Sequence, residues 1–107
     1  MVQSVKLKAE PIQSLGYASI SGTYALVGVL PNPAQIYFVQ NLTNAIVTFS
    51  QDGVTDNFVL PANGFLLIDV GTNRGLYETL SFTTGTPLYA KGSVSSGSVY
   101  LSTFYMG

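Results

Sequence analysis

Nowhere in this chain do apolar residues keep the 3.6-residue spacing of a helical stripe for more than a turn or two. They come in short runs rich in β-branched and aromatic residues, cut by Gly, Pro, Asn, Asp and Ser. Such runs bury one face only as extended strands, so the chain is read as all-β. The runs recur about 8–12 residues apart, in a chain of 107 residues, long enough for one hydrophobic core and too short for two. The expectation is one domain over residues 1–107: a single antiparallel β-sandwich of about eight strands, immunoglobulin-like or jelly-roll-like, with a closed barrel as the alternative. No repeat of fixed period is present, which sets solenoids and propellers aside.

Val5, Leu7 and Ala9 alternate with Lys6, Lys8 and Glu10 as far as Pro11. Outward lysines defend an exposed sheet edge, and residues 1–15 read as an edge strand or a docking arm. A second strand spans 18–30, with Ala18, Ile20, Tyr24 and Leu26 on one face and Gly22 and Gly28 at bulges or bends; Pro31-Asn32-Pro33 stops it. Runs follow at 36–39, 46–50 and 58–60, and Asp52-Gly53 supplies the positive-φ position in the turn joining the last two. After the turn Pro61-Ala62-Asn63-Gly64, residues Phe65 to Val70 are apolar on both parities and expect cover on both faces. Residues 71–86 are the longest candidate loop. Leu88 to Lys91 and Val99 to Met106, joined by the small residues 92–97, read as a terminal hairpin.

Only 8% of the residues are charged, four basic and five acidic, against about 25% in an ordinary soluble domain. With no His and no Cys, the chain cannot by itself build a Ser-His-Asp triad, a Cys-His dyad, a zinc site of thiolates and imidazoles, or a disulfide framework. Four scattered cations do not make a nucleic-acid footprint, and no basic amphipathic stretch suits an anionic membrane. The first eight residues lack a signal-peptide core and no apolar run exceeds four residues, as in Phe65–Ile68, so cytoplasmic synthesis is expected. The resulting expectation is a non-enzymatic protein with no cofactor, metal or small-molecule substrate.

The missing charges leave apolar residues on both parities of several strands. Ile36 and Phe38 oppose Tyr37 and Val39, and Val99, Leu101 and Tyr105 oppose Tyr100, Phe104 and Met106. One small core cannot take both sets, and each such residue covered by another chain contributes about 1.5–3 kcal/mol. The expected interaction residues are Phe65, Leu66, Leu67, Ile68, Tyr100, Phe104, Tyr105 and Met106, in a homo-oligomer. Seven tyrosines, each apolar with a polar tip, suit interfaces.

The stretch from Gln40 to Gly64 carries Asn41-Leu42-Thr43, then Asp52-Gly53-Val54-Thr55-Asp56, then Pro61-Ala62-Asn63-Gly64. In this succession, and in Tyr89-Ala90-Lys91-Gly92 followed by Gly97-Ser98-Val99-Tyr100, the chain resembles the small β-sandwich structural proteins of tailed bacteriophage virions over roughly residues 36–105. The resemblance implies an accessory virion component without enzymatic activity, made in the host cytoplasm. Such a component docks onto other virion structural proteins as capsid decoration or in the head-to-tail or tail assembly.

Sharper readings of single motifs compete with plain ones. Asn41-Leu42-Thr43 matches a glycosylation acceptor but reads as a strand-end turn. Asp52, Asp56 and Asn57 lack the spacing of a calcium loop and read as turn formers. Asp52 with Asp56, or Asp69 with Glu78, are the carboxylate pairs a glycosidase would use, and Arg74 is placed to pair with Asp69 or Glu78 in a solvated loop. A carbohydrate-binding module using exposed tyrosines is the rival from another class. It needs them gathered on one face, whereas Tyr100 and Tyr105 have opposite parity.

Overall fold

Alternation is regular where the strands are long. In β4 (Ala34–Thr43) the residues Tyr37, Val39, Asn41 and Thr43 are buried, while Ile36, Phe38 and Gln40 are half-buried and Leu42 is exposed. In β9 (Gly97–Met106) Val99, Leu101 and Thr103 are buried and Ser98, Tyr100, Ser102 and Phe104 are half-buried. Successive side chains on a strand point to opposite sides, so each of these strands has a core face and an outer face. The other strands of the computed structural model, which describes residues 7–70 and 82–106, are β1 (Leu7–Ala9), β2 (Gln13–Gly16), β3 (Ala25–Val29), β5 (Val47–Ser50), β6 (Phe58–Leu60), β7 (Phe65–Asp69) and β8 (Pro87–Gly92).

Two antiparallel sheets pack face to face. Sheet A has the order β1-β9-β4-β7, with β2 following β1 along the same edge of β9; sheet B has the order β3-β8-β5-β6. Taking β1 and β2 as one interrupted edge strand, the chain changes sheet at every connection but that from β5 to β6. This is the double Greek-key winding of a jelly roll, which resolves the two sandwich types expected from the sequence. The core between the sheets is built on Leu30, Tyr37, Val39, Val47, Phe49, Leu88, Val99 and Leu101, and Phe49 stacks on Phe58 with ring centroids 4.9 Å apart.

Two sequence expectations are corrected. The terminal segments do not form a hairpin: β8 pairs with β3 and β5 in sheet B, while β9 pairs with β4, β1 and β2 in sheet A. Leu88 and Ala90 face Val99 and Leu101 across the core instead of lying beside them. The connection is held by Asn44, whose Oδ1 accepts from the Ser95 N–H (2.9 Å) and whose Nδ2 donates to Ser95 Oγ (2.7 Å). Residues 18–30 are likewise not one strand. Tyr17–Ser19 form a 3₁₀ turn and only Ala25–Val29 are extended, whereas β2 occupies residues that carry no strong strand signal. Its Gln13 amide acts as a partner for the edge of β3: Nε2 donates to Val29 O and Oε1 accepts from Val29 N–H, both at 2.9 Å.

The expected turn between β5 and β6 is present, with Gly53 at φ 78°, and the register shifts between Leu26 and Gly28 as a bulge there requires. Lys6 and most of the 71–86 loop lie outside the described residues. The loop's two ends are anchored side by side: Val70 N–H donates to Gln35 O and Phe82 forms a bridge with Ala34.

Candidate interaction face

Sheet A turns a nearly uncharged face away from the core. Backbone register defines its rows, read from the β1/β2 edge across β9 and β4 to β7. They are Ala9, Phe104, Ile36 and Asp69; then Ser102, Phe38 and Leu67; then Ser14, Tyr100, Gln40 and Phe65; then Gly16, Ser98 and Leu42. Leu7 and Met106 extend the face at one end. Asp69 is the one ionisable carboxylate in these rows and there is no Lys or Arg. Phe65 is 64% exposed and Leu67 55%, and Phe65 meets Phe38 edge to face at 5.7 Å. An apolar sheet surface of this extent, lacking the charges a solvated sheet carries, is the candidate interaction face among the described residues.

The structure divides the eight residues expected to mediate contacts. Phe65, Leu67, Tyr100, Phe104 and Met106 gather on this face. Leu66 and Ile68 turn the other way and pack against the core cluster, and Tyr105 shares the inward parity of Thr103. The double apolar parity of residues 65–70 thus splits into one covered side and one that the described residues leave open.

Sheet B is finished differently. Its outer side mixes Thr48, Tyr89 and Lys91 with the exposed Leu26 and Val59, and residues 51–57 fold back over part of it so that Gly53 lies against the Tyr89 ring. Asp52 Oδ1 accepts from Val54 N–H (2.8 Å), Thr55 N–H (2.7 Å) and Ser50 Oγ (2.7 Å), and these bonds hold its carboxyl well below the usual carboxylate range. Asp56 accepts from the Tyr24 hydroxyl and pairs with Lys91 Nζ at 3.2 Å, and both contacts lower its pKa. Tyr24, desolvated and facing that carboxylate, is pushed up to about 12, and Lys91 lies 4.6 Å above its ring. The acidic loop is a turn pinned to its own sheet, as expected of Asx residues; among the described residues no acidic cluster is arranged to hold a metal.

Asn41, expected from the sequence in a strand-end turn, is a buried structural residue near the end of β4. It is fully buried, its Nδ2 reaches the carbonyls of Ala45 (2.9 Å), Leu60 (2.9 Å) and Pro61 (3.0 Å), and its Oδ1 accepts from Thr43 N–H at 3.0 Å. Its place is therefore inside the sandwich, where a glycan has no room. The Asn-x-Thr spacing was the available signal, since a side chain bonding the backbone two residues on is ordinary Asx chemistry.

The tyrosines do not assemble into one platform. Tyr37 is in the core, Tyr24 and Tyr89 lie on sheet B, Tyr17 is in the 3₁₀ turn, Tyr100 is on the sheet A face, and Tyr77 is outside the described residues. The carboxylate pair Asp69 and Glu78, with Arg74, also extends beyond the described residues. The structure defines the chain as an all-β sandwich. It matches no family model, no characterised protein and no solved structure.

Proposed function

We propose that this chain is a non-enzymatic structural component of a bacteriophage virion that binds other virion subunits and strengthens the assembled particle. Its place is on the capsid surface or in the head-to-tail or tail assembly. The observation that carries the reading is the apolar outer face of sheet A, which holds a single carboxylate and no cation, set against a sheet B whose outer side carries Lys91 and is partly overlain by its own charged loop. A subunit that binds only the assembled state stabilises that state by mass action, which needs complementary surface and no chemistry. Jelly-roll winding is shared by viral capsid and lectin domains, so fold alone does not choose between them, and the dispersal of the tyrosines favours the first.

Density-gradient fractionation of a virus-producing culture tests this. The protein is expected to band with particles, and a Phe65→Lys, Leu67→Lys double variant to remain with free protein. Absence of the unmodified protein from every particle fraction refutes the reading, and glycan-array binding in its place supports the carbohydrate-binding alternative.

A further inference from the structure

We infer that the sheet A face is occupied by a second copy of this chain, packed face to face about a two-fold axis that runs along the strands between β4 and β9. The inference rests on the reading above in taking this face as the contact surface. Such an axis reverses each row, so that a β9 residue meets the β4 residue of the same row in its partner copy and a β1 or β2 residue meets the one on β7. Leu67, whose row has no β1 or β2 member, falls over the gap between those strands.

The rows are self-complementary under that reversal. Ser102 on β9 comes to face Phe38, Ser98 faces Leu42, and Ser14 faces Phe65, which puts a large side chain over a small one at three places. Facing layers interdigitate when large and small residues oppose one another. Tyr100 comes to face Gln40, a hydroxyl against an amide, and Phe104 faces Ile36, apolar on apolar. Each pairing occurs twice, as an isologous interface demands. Asp69 falls over Ala9, on the strand that carries Lys8, and stays far from its own copy; three strand spacings separate the two carboxylates by about 14 Å laterally, beyond a Debye length at physiological salt.

Area agrees. Strand rise and spacing make the patch about 27 Å by about 19 Å, so a pair of copies covers about 1,000 Å² in all, the least a biological interface buries and the size of a weak, reversible one. Two such sheets lie about 10 Å apart with side chains from both filling the gap, which is the spacing already used inside the sandwich.

Sedimentation equilibrium of the full chain, from micromolar to millimolar concentration, is the test. The expected result is a monomer–dimer equilibrium with no larger species. Phe65→Lys is expected to weaken it about 100-fold, whereas Val54→Lys, at an 82% exposed site off the face, leaves it unchanged. Ser102→Phe separates this packing from unspecific stickiness, because it adds apolar area yet collides with Phe38 of the other copy: about 10-fold weaker association is expected. Ser14→Phe makes the same test at the Phe65 position, and thermal unfolding verifies that each variant is folded. A monomer at every concentration, or tighter association of Ser102→Phe, overturns the inference. A monomer that still bands with particles overturns it and leaves the proposed function standing; a dimer that never bands with particles does the reverse.

Discussion

Two buried polar residues on β4, four positions apart, show what pairing is worth. Asn41 spends both ends of its amide on the backbone of two segments, 43–45 and 60–61, so Asn41→Ala removes a donor from the buried carbonyl of Leu60 and from those of Ala45 and Pro61, and the acceptor of Thr43 N–H. Urea unfolding is expected to register a loss of about 2–4 kcal/mol. Tyr37 is equally buried, but its hydroxyl makes no hydrogen bond of normal geometry, and burial pushes it up to about 12 against a small opposing effect of the nearby Gln51 side chain. Tyr37→Phe keeps the ring that lies 4.7 Å from Phe82 and removes only the unpaired group, so the same measurement is expected to show a change within about 0.5 kcal/mol or a small gain. Equal losses for the two variants would contradict the account of both.

At the level of elements, the Gln13 amide ties the β2 edge of sheet A to the β3 edge of sheet B. A Cβ on Gly28 would come within 2.0 Å of Gln13 Oε1, so the glycine is what admits the side chain that pairs with Val29. Gly28→Ala and Gln13→Ala therefore damage the same contact. In a double-mutant cycle the two losses, each about 1–2 kcal/mol, are expected to fall short of additivity by about 1 kcal/mol. The loop over sheet B is held by carboxylates whose pKa values are lowered in the folded state. Groups of this sign add stability above their unfolded pKa, near 4, and lose it as pH falls through the lower folded value. The melting temperature is expected to drop from about pH 5 downwards, and Asp52→Asn is expected to flatten that drop. At the alkaline end the sign reverses: Tyr24, raised to about 12, favours the folded state until pH climbs through that value, and ultraviolet titration of Asp56→Asn should show it ionising earlier.

Over the whole molecule, the two faces of one sheet carry different costs. Leu101 is 1% exposed in the core, and Leu101→Ala is expected to lower stability by about 2–5 kcal/mol through the cavity it leaves. Leu67, 55% exposed on the sheet A face, is expected to change stability by less than about 0.5 kcal/mol as Leu67→Lys, since what it loses lies in association. Chemical denaturation of both variants at a protein concentration below dimerisation checks the contrast. Class, the runs at 36–39, 46–50 and 58–60 that became parts of β4, β5 and β6, and the opposed parities of β4 and β9 were legible in the sequence because burial on one face imposes a two-residue period. Of the interaction residues, Phe65, Leu67, Tyr100, Phe104 and Met106 share the open face, while Leu66, Ile68 and Tyr105 could not be told from them where both parities are apolar.

What the sequence by itself determined is the content of each strand and the shortage of charge, since both follow from local alternation and composition. Only the tertiary structure decided which strands are neighbours. Residues 87–106 look like a hairpin until β8 and β9 are seen in different sheets, and residues 13–16 gain their strand from β9. Pairing is set by which partner completes a non-local ladder over a shared core. It therefore took the fold to turn a surplus of apolar residues into one nearly uncharged face.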